Sequence, residues 1–361
     1  MPDFSPLDAA CVRLADCLPG GGFEAALWGS REALWHTQRN WTQNALVPVW
    51  SATKGPAVAT TLLLLEQAGL DLATTVSDVW PEFQHAVNFA QLLSHQAGLA
   101  APEGNLSIFD HPAAARSLAA QAPNWPPGSA HGYHPRTYGF LLNEISLRLT
   151  DRRLGENWDR LLREPHDLDF FIGLPESEFP RMMKVISGRP SVRPDERAFS
   201  QAYMQSQSLT RRAFDSYRGL NATWEFNHPD AWRLASPALG GVGSARGLAK
   251  FYSLLNSPAF SDKVRGWMQT EQVSGPDLIL HTPTTFTAGF QKDPLHADGS
   301  KIRSHYGPST AAFGHPGAGG SIGLNDPTSG RAFGLVLNVI GPGVFPREEI
   351  LQLVNAAMTA G

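Results

Sequence analysis

Cysteine is nearly absent from this chain of 361 residues: Cys11 and Cys17 are its only two. Both fall in a predicted helix over about residues 6–18, where six positions at about 1.5 Å each set them roughly 9 Å apart, beyond disulfide reach. They are expected as buried thiols, not as metal ligands or a redox pair. Long apolar runs are missing too. No stretch approaches the length of a membrane span, and the opening MPDFSPLDAACVRLADCLPGGG carries acidic residues with no apolar core of signal-peptide length. A cytoplasmic location without a membrane partner is the expectation. Positive charge is sparse as well: the formal net charge is -4 and the Lys and Arg residues are scattered, so nothing forms an electrostatic footprint for nucleic acid. Repeats and low-complexity tracts are also lacking.

What is there is ordinary globular text. With 42% hydrophobic residues, the chain can bury one large core or two smaller ones. Residues 23–28 and 32–36 flank a Gly29-Ser30 turn and read as a β-hairpin. From Ser51 to about residue 230 the pattern is helical and loop-rich. Ala57 to Ala68 is an apolar helix ended by Gly69, Leu141, Ile145 and Leu149 recur at four-residue spacing, and Trp158, Leu161 and Leu162 mark another helix. Beyond Gly240, Ser244 caps a helix with Leu248, Phe251, Tyr252 and Leu255 on one face. Alternation returns at 321–325 and 331–338 around the turn 326–330, and a final amphipathic helix carries Ile350, Leu351, Val354 and Met358.

If the N-terminal hairpin and the C-terminal strands share one sheet, the fold class is α+β. Residues 1–55 and 236–361 would then form a domain with an antiparallel sheet flanked by helices, and 56–235 a mainly helical domain inserted between its halves. Ser51 would lie where the two meet, a position that favours active sites.

The stretch Val49-Trp50-Ser51-Ala52-Thr53-Lys54-Gly55 sets a serine three residues ahead of a lysine. On a helix such positions share a face, about 5–6 Å apart at Cβ, so Lys54 can reach the Ser51 hydroxyl. A neutral lysine could take that proton, provided burial or a neighbouring cation lowers its pKa by several units from about 10.4. A helix start also aims its dipole and a backbone N–H at a developing oxyanion. With 27 serines and six lysines in the chain, a chance Ser-x-x-Lys arises about half the time, so the motif alone decides nothing.

Its company decides more. WPPGSAHGYHP (125–135) holds Tyr133 in a Gly-bounded loop before a helix, and FGHPGAGGS (313–321) opens the C-terminal hairpin. In order, spacing and wording these segments resemble the three active-site motifs of the penicillin-recognising serine hydrolases, specifically the class C β-lactamase-like group that includes the family VIII carboxylesterases. LLSHQAGL (92–99) and GGVGS (240–244) are similar to further marker stretches of that group, and the likeness runs from about residue 20 to about 340. The resemblance implies a β-lactamase/transpeptidase-like fold. It implies Ser51 as acylated nucleophile, Lys54 as proton acceptor and Tyr133 as its partner, with the backbone N–H groups of Ser51 and Ala318 as the oxyanion hole. A lysine–tyrosine pair can share one proton and serve near neutrality. His315, Gly317 and Pro135 would line the substrate.

Two departures carry the substrate information. His315 stands where β-lactamases typically have lysine; mostly neutral at pH 7, it binds a carboxylate weakly and can instead donate one neutral hydrogen bond. Pro135 stands where they have asparagine and offers no side-chain amide. Both changes favour carboxylic esters. A β-lactamase, a D-amino-acid peptidase or a transacylase of the same superfamily remain alternatives, as does a catalytically silent protein that binds acyl ligands. The proposed chemistry requires no metal or organic cofactor; the partner is a small-molecule ester or amide, and the oligomeric state is undetermined.

Several other residues invite functional readings. Gly319-Gly320-Ser321-Ile322-Gly323 matches the nucleophile elbow of α/β-hydrolases, yet strand text follows it and no later histidine completes a triad. His131 and His134 lack the companions of a metal site, and His95 reads as a buried hydrogen-bonding residue. Trp125, Trp224, Phe226 and Trp232 are candidates to line the acyl pocket.

Overall fold

The computed structural model describes residues 3–188, 193–341 and 343–360. The N-terminal part carries β1 (Phe23–Trp28), β2 (Ala33–Arg39) and the short β3 (Val47–Pro48); among the described residues the middle contributes β4 (Phe170–Ile172) and β5 (Ile186–Ser187), and β6 (Gly241–Gly243) follows it. The C-terminal part carries β7 (Val273–Pro276), β8 (Pro283–Phe286), β9 (Gln291–Lys292), β10 (Phe313–Pro316), β11 (Ile322–Asp326), β12 (Arg331–Leu337) and β13 (Val339–Ile340). Eight of these form one sheet in the order β2-β1-β12-β11-β10-β9-β8-β7, antiparallel at every pairing. The N-terminal hairpin and the C-terminal strands do share it, with Phe23 opposite Leu337. The fold is the α+β arrangement that the sequence predicts.

Helices cover both faces. Ser5–Asp16 and Glu348–Thr359 pack together on one, burying Leu7, Leu14, Ile350 and Val354 against Phe23, Ile322 and Leu335. Ala245–Leu254 lies across β12, β1 and β11 on the other, its first turn capped by the Ser244 hydroxyl, which accepts from Gly247 N–H at 3.1 Å. Cys11 is buried as expected, but Cys17 is only half-buried, because the helix ends at Asp16 and leaves it in the turn.

The helix after Ser51 is Lys54–Gln67, three residues longer at its start than the apolar run suggests, and its side chains are buried on every face from Lys54 to Leu65. A helix apolar all round belongs inside a core. Strands β7 to β9 escape a periodicity reading because they are two to four residues long and rich in Thr, Ser, Pro and Gly. Among the described residues no helix is long and apolar enough to cross a membrane.

Candidate active site

Ser51 sits in a single 3-10 turn, Trp50–Thr53, that runs directly into the Lys54–Gln67 helix. Trp50 is left-handed, with φ of 47°, a conformation costing a residue with a side chain about 1–2 kcal/mol. Strand β6 holds the turn in place. Gly241 N–H donates to the Thr53 hydroxyl at 2.8 Å, that hydroxyl donates to the Trp50 carbonyl, and Val49 N–H donates to the Gly241 carbonyl at 2.9 Å.

Lys54 is fully buried. Its Nζ lies 3.2 Å from Ser51 Oγ, 2.9 Å from the Pro135 carbonyl and 2.9 Å from the Ala238 carbonyl. Carbonyls only accept, so they take two of the amine hydrogens. The third direction faces Ser51. Burial holds the Lys54 pKa well below the usual lysine value, and a neutral amine with two hydrogens so committed turns its lone pair to the serine hydroxyl.

Tyr133 is buried beside them, its ring centre 4.9 Å from Lys54 Nζ. Burial pushes its phenol above the ordinary tyrosine value. The loop that carries it is anchored by Asp277, a residue the sequence did not single out. The Asp277 carboxylate accepts from Tyr133 N–H at 3.1 Å to each oxygen, from Ile279 and Leu280 N–H at 2.8 and 2.9 Å, and from the Thr284 hydroxyl at 3.0 Å. An Asp two and three residues before two of the amides it accepts from is the available signal, an Asx-type turn.

The third segment closes the site. After β10 ends at Pro316, Gly317 packs on the serine turn so tightly that a Cβ there would lie 2.1 Å from the Val49 carbonyl oxygen. This approach brings Ala318 to the same cleft as Ser51. The backbone N–H groups of both residues have no hydrogen-bond partner among the described residues, the arrangement two oxyanion donors require.

His315 is wholly buried, and its Nδ1 lies 2.8 Å from the Pro316 carbonyl. That oxygen can only accept, so Nδ1 carries the proton and Nε2 is a bare acceptor. Burial, aided by Lys54, lowers its pKa to about 3. The expected neutral donor to substrate is therefore spent within its own loop.

A cleft of about 640 Å³ opens from Ser51, walled by Trp50, Phe199, Tyr203, Phe214, Phe226 and Leu239, with Pro135 and Ala318 at its Ser51 end. Of the four aromatics expected there, only Phe226 lines it. Trp125 is buried against His134 and donates to the Ala130 carbonyl, Trp232 packs on Phe179, and Trp224 is exposed. The missed walls come from helices Arg197–Met204 and Leu209–Asp215, whose apolar positions read as ordinary core.

The other candidates are structural. His131 Nε2 contacts the Thr284 hydroxyl, and His134 accepts from Leu99 N–H and donates to the Gly132 carbonyl. His95 Nδ1 accepts from His134 N–H. Ser321 is buried between the antiparallel strands β10 and β11, with no helix after it. No cluster suited to a metal ion occurs among the described residues.

The sequence model of the beta-lactamase family, described as "Beta-lactamase", matches residues 18–357. The chain belongs to the beta-lactamase family. Within this family of serine hydrolases it is 28% identical over 322 residues to the esterase/beta-lactamase LipL of Mycobacterium tuberculosis, covering 82% of this chain and 70% of that protein. Its fold is similar to the crystal structure of a family VIII carboxylesterase, with a TM-score of 0.85 and 27% identity over 99% of this chain and 97% of that one. It is also similar to a penicillin-binding-protein homologue from Caulobacter crescentus, with a TM-score of 0.81 and 29% identity over 98% and 96% of the two chains. The chain is thus a beta-lactamase-related serine hydrolase.

Proposed function

We propose that this enzyme cleaves carboxylic esters through an acyl-enzyme on Ser51. The observation that carries the reading is the buried Lys54 amine, held by two carbonyls with its free direction 3.2 Å from Ser51 Oγ. Ser51 Oγ attacks the ester carbonyl while its proton passes to Lys54 Nζ, and the negative oxygen that forms is met by the Ser51 and Ala318 N–H groups. Tyr133 gives its phenol proton to the departing alkoxide and regains one from Lys54. Water then attacks the acyl carbonyl, gives its proton to the same pair, and Ser51 leaves with a proton returned to it. The same reading takes residues 1–55 with 236–361 as the sheet-bearing part and 56–235 as the mainly helical part, with substrate bound where they meet.

The cleft supports an apolar, uncharged acyl group. Among the described residues its two charged wall residues are already engaged: Arg136 donates to the Gly219 and Leu220 carbonyls at 3.1 and 2.7 Å, and Asp215 accepts from the Tyr203 hydroxyl and pairs with Arg211, both at 2.8 Å. The family VIII carboxylesterase likeness supports esters, whereas the LipL name, which couples esterase and beta-lactamase, supports β-lactams as a second class.

The test is labelling with a fluorophosphonate and location of the adduct by mass spectrometry, alongside turnover of p-nitrophenyl esters and of nitrocefin. An adduct on Ser51, with ester turnover exceeding nitrocefin turnover and lost in Ser51→Ala, is expected. An adduct on Ser321, or ester turnover surviving in Ser51→Ala, would overturn the mechanism; faster nitrocefin turnover would overturn the substrate class.

A further inference from the structure

Two buried polar atoms on adjacent rings complement each other. The Tyr133 hydroxyl lies toward the Ser51 side chain and His315 Nε2 is an acceptor without a donor; both are shielded from solvent, and neither makes a hydrogen bond of normal geometry among the described residues. Their rings lie 5.9 Å apart, centre to centre, with planes 35° apart. An unpaired buried polar group costs about 1–3 kcal/mol, and native proteins keep few of them without a reason.

The neighbours narrow the pairing. His95 flanks Tyr133 on another side at 5.1 Å, but its Nδ1 accepts from His134 N–H, which leaves the proton on Nε2 and no acceptor to offer. The other buried hydroxyl near His315 is that of Tyr252, which lies beside the His315 backbone and makes no hydrogen bond of normal geometry among the described residues. Tyr252 is wedged against the Lys54 helix, where a Cβ on Gly55 would lie 2.2 Å from its oxygen.

We infer that His315 is a positioning residue for Tyr133: its bare Nε2 accepts the phenol O–H and so turns a phenol lone pair toward Ser51 and Lys54. This rests on the reading of Ser51, Lys54 and Tyr133 as the reacting set. A rotation of neighbouring rings completes the bond, and the departing alkoxide replaces His315 as acceptor when the phenol gives up its proton. The position therefore holds an acceptor where related enzymes typically hold a cation. A substrate carboxylate, itself only an acceptor, finds nothing to pair with there.

The experiment compares kcat and KM for a neutral p-nitrophenyl ester in the wild type, Ser51→Ala, His315→Leu, His315→Gln and Tyr252→Phe, with melting temperatures for each. His315→Leu is expected to lose about tenfold to a hundredfold in kcat with little change in KM. His315→Gln, whose side-chain oxygen can accept, should recover to within about fivefold of wild type, and Tyr252→Phe should leave kcat unchanged. If Leu does not fold, His315→Met replaces it. Full kcat in His315→Leu, or equal losses in Leu and Gln, would overturn the inference, as would a loss in Tyr252→Phe matching that of His315→Leu. Activity surviving in Ser51→Ala would instead overturn the reading of the reacting set.

Discussion

Lys54 Nζ lies 3.2 Å from Ser51 Oγ inside the protein, and no carboxylate pairs with it among the described residues. A buried amine without a counter-ion sheds its proton more readily than one in water. Unfolded, it regains a pKa of about 10.4.

That difference links stability to pH. Between the lowered folded-state pKa and about 10.4 the unfolded chain binds more protons, so lysine-bearing protein should gain stability as pH rises, by up to about 1.4 kcal/mol per pH unit. Lys54→Met removes this dependence and is expected to abolish activity. Urea denaturation at several pH values should find the variant gaining on wild type as pH falls and the gap narrowing as pH rises. Parallel curves would mean that Lys54 keeps its proton in the folded state.

The activity profile follows from the same directions. Lys54 must be neutral to accept the serine proton, so kcat/KM for a neutral ester should fall on the acid side as Lys54 becomes protonated. Tyr133 is pushed above its ordinary value, so no alkaline limb should appear below about pH 9. His315, titrating at about 3, should contribute nothing near neutrality. A bell-shaped profile centred near neutrality would contradict this assignment.

Gly317→Ala tests the oxyanion arrangement. The added Cβ would meet the Val49 carbonyl at 2.1 Å and the Ala52 nitrogen at 3.1 Å, forcing the Ala318 amide away from Ser51. Loss of one aligned donor costs about 10²–10³-fold in kcat. Kinetics on protein with an unchanged circular dichroism spectrum check it; a kcat within a few-fold of wild type would remove Ala318 from the role.

Asp277→Ala withdraws the acceptor for three backbone N–H groups and one hydroxyl at once. Stability should fall by about 3 kcal/mol or more. Below the variant's melting temperature, kcat should drop with KM little changed, because Tyr133 loses its anchor while the cleft walls stay.

Much of the site lay in local text. Ser51 and Lys54 are three residues apart on one continuous helical path, so their contact is set by helix geometry wherever that helix packs. The hairpin of β1 and β2, the β11–β12 pair and the terminal helix were equally readable, because each is a local run of residues joined by a short turn or carried on one amphipathic face. The alternation read at 321–325 and 331–338 does not survive, since β11 and β12 are buried almost throughout under helices on both faces. The wording around Tyr133 and His315 pointed to the family to which the chain belongs.

Only the tertiary structure decided what these groups can do. The amine hydrogens of Lys54 are committed by carbonyls 81 and 184 residues away, and Tyr133 is anchored by a carboxylate 144 residues away. No spacing rule reaches that far. The proton on His315 is assigned by the adjacent Pro316 carbonyl, yet which way that carbonyl turns depends on Gly317 seating against the serine turn. The cleft walls escaped for the same reason. Phe199, Tyr203 and Phe214 sit on amphipathic helices whose apolar faces look alike in sequence whether they meet a core or a substrate, and only packing distinguishes the two.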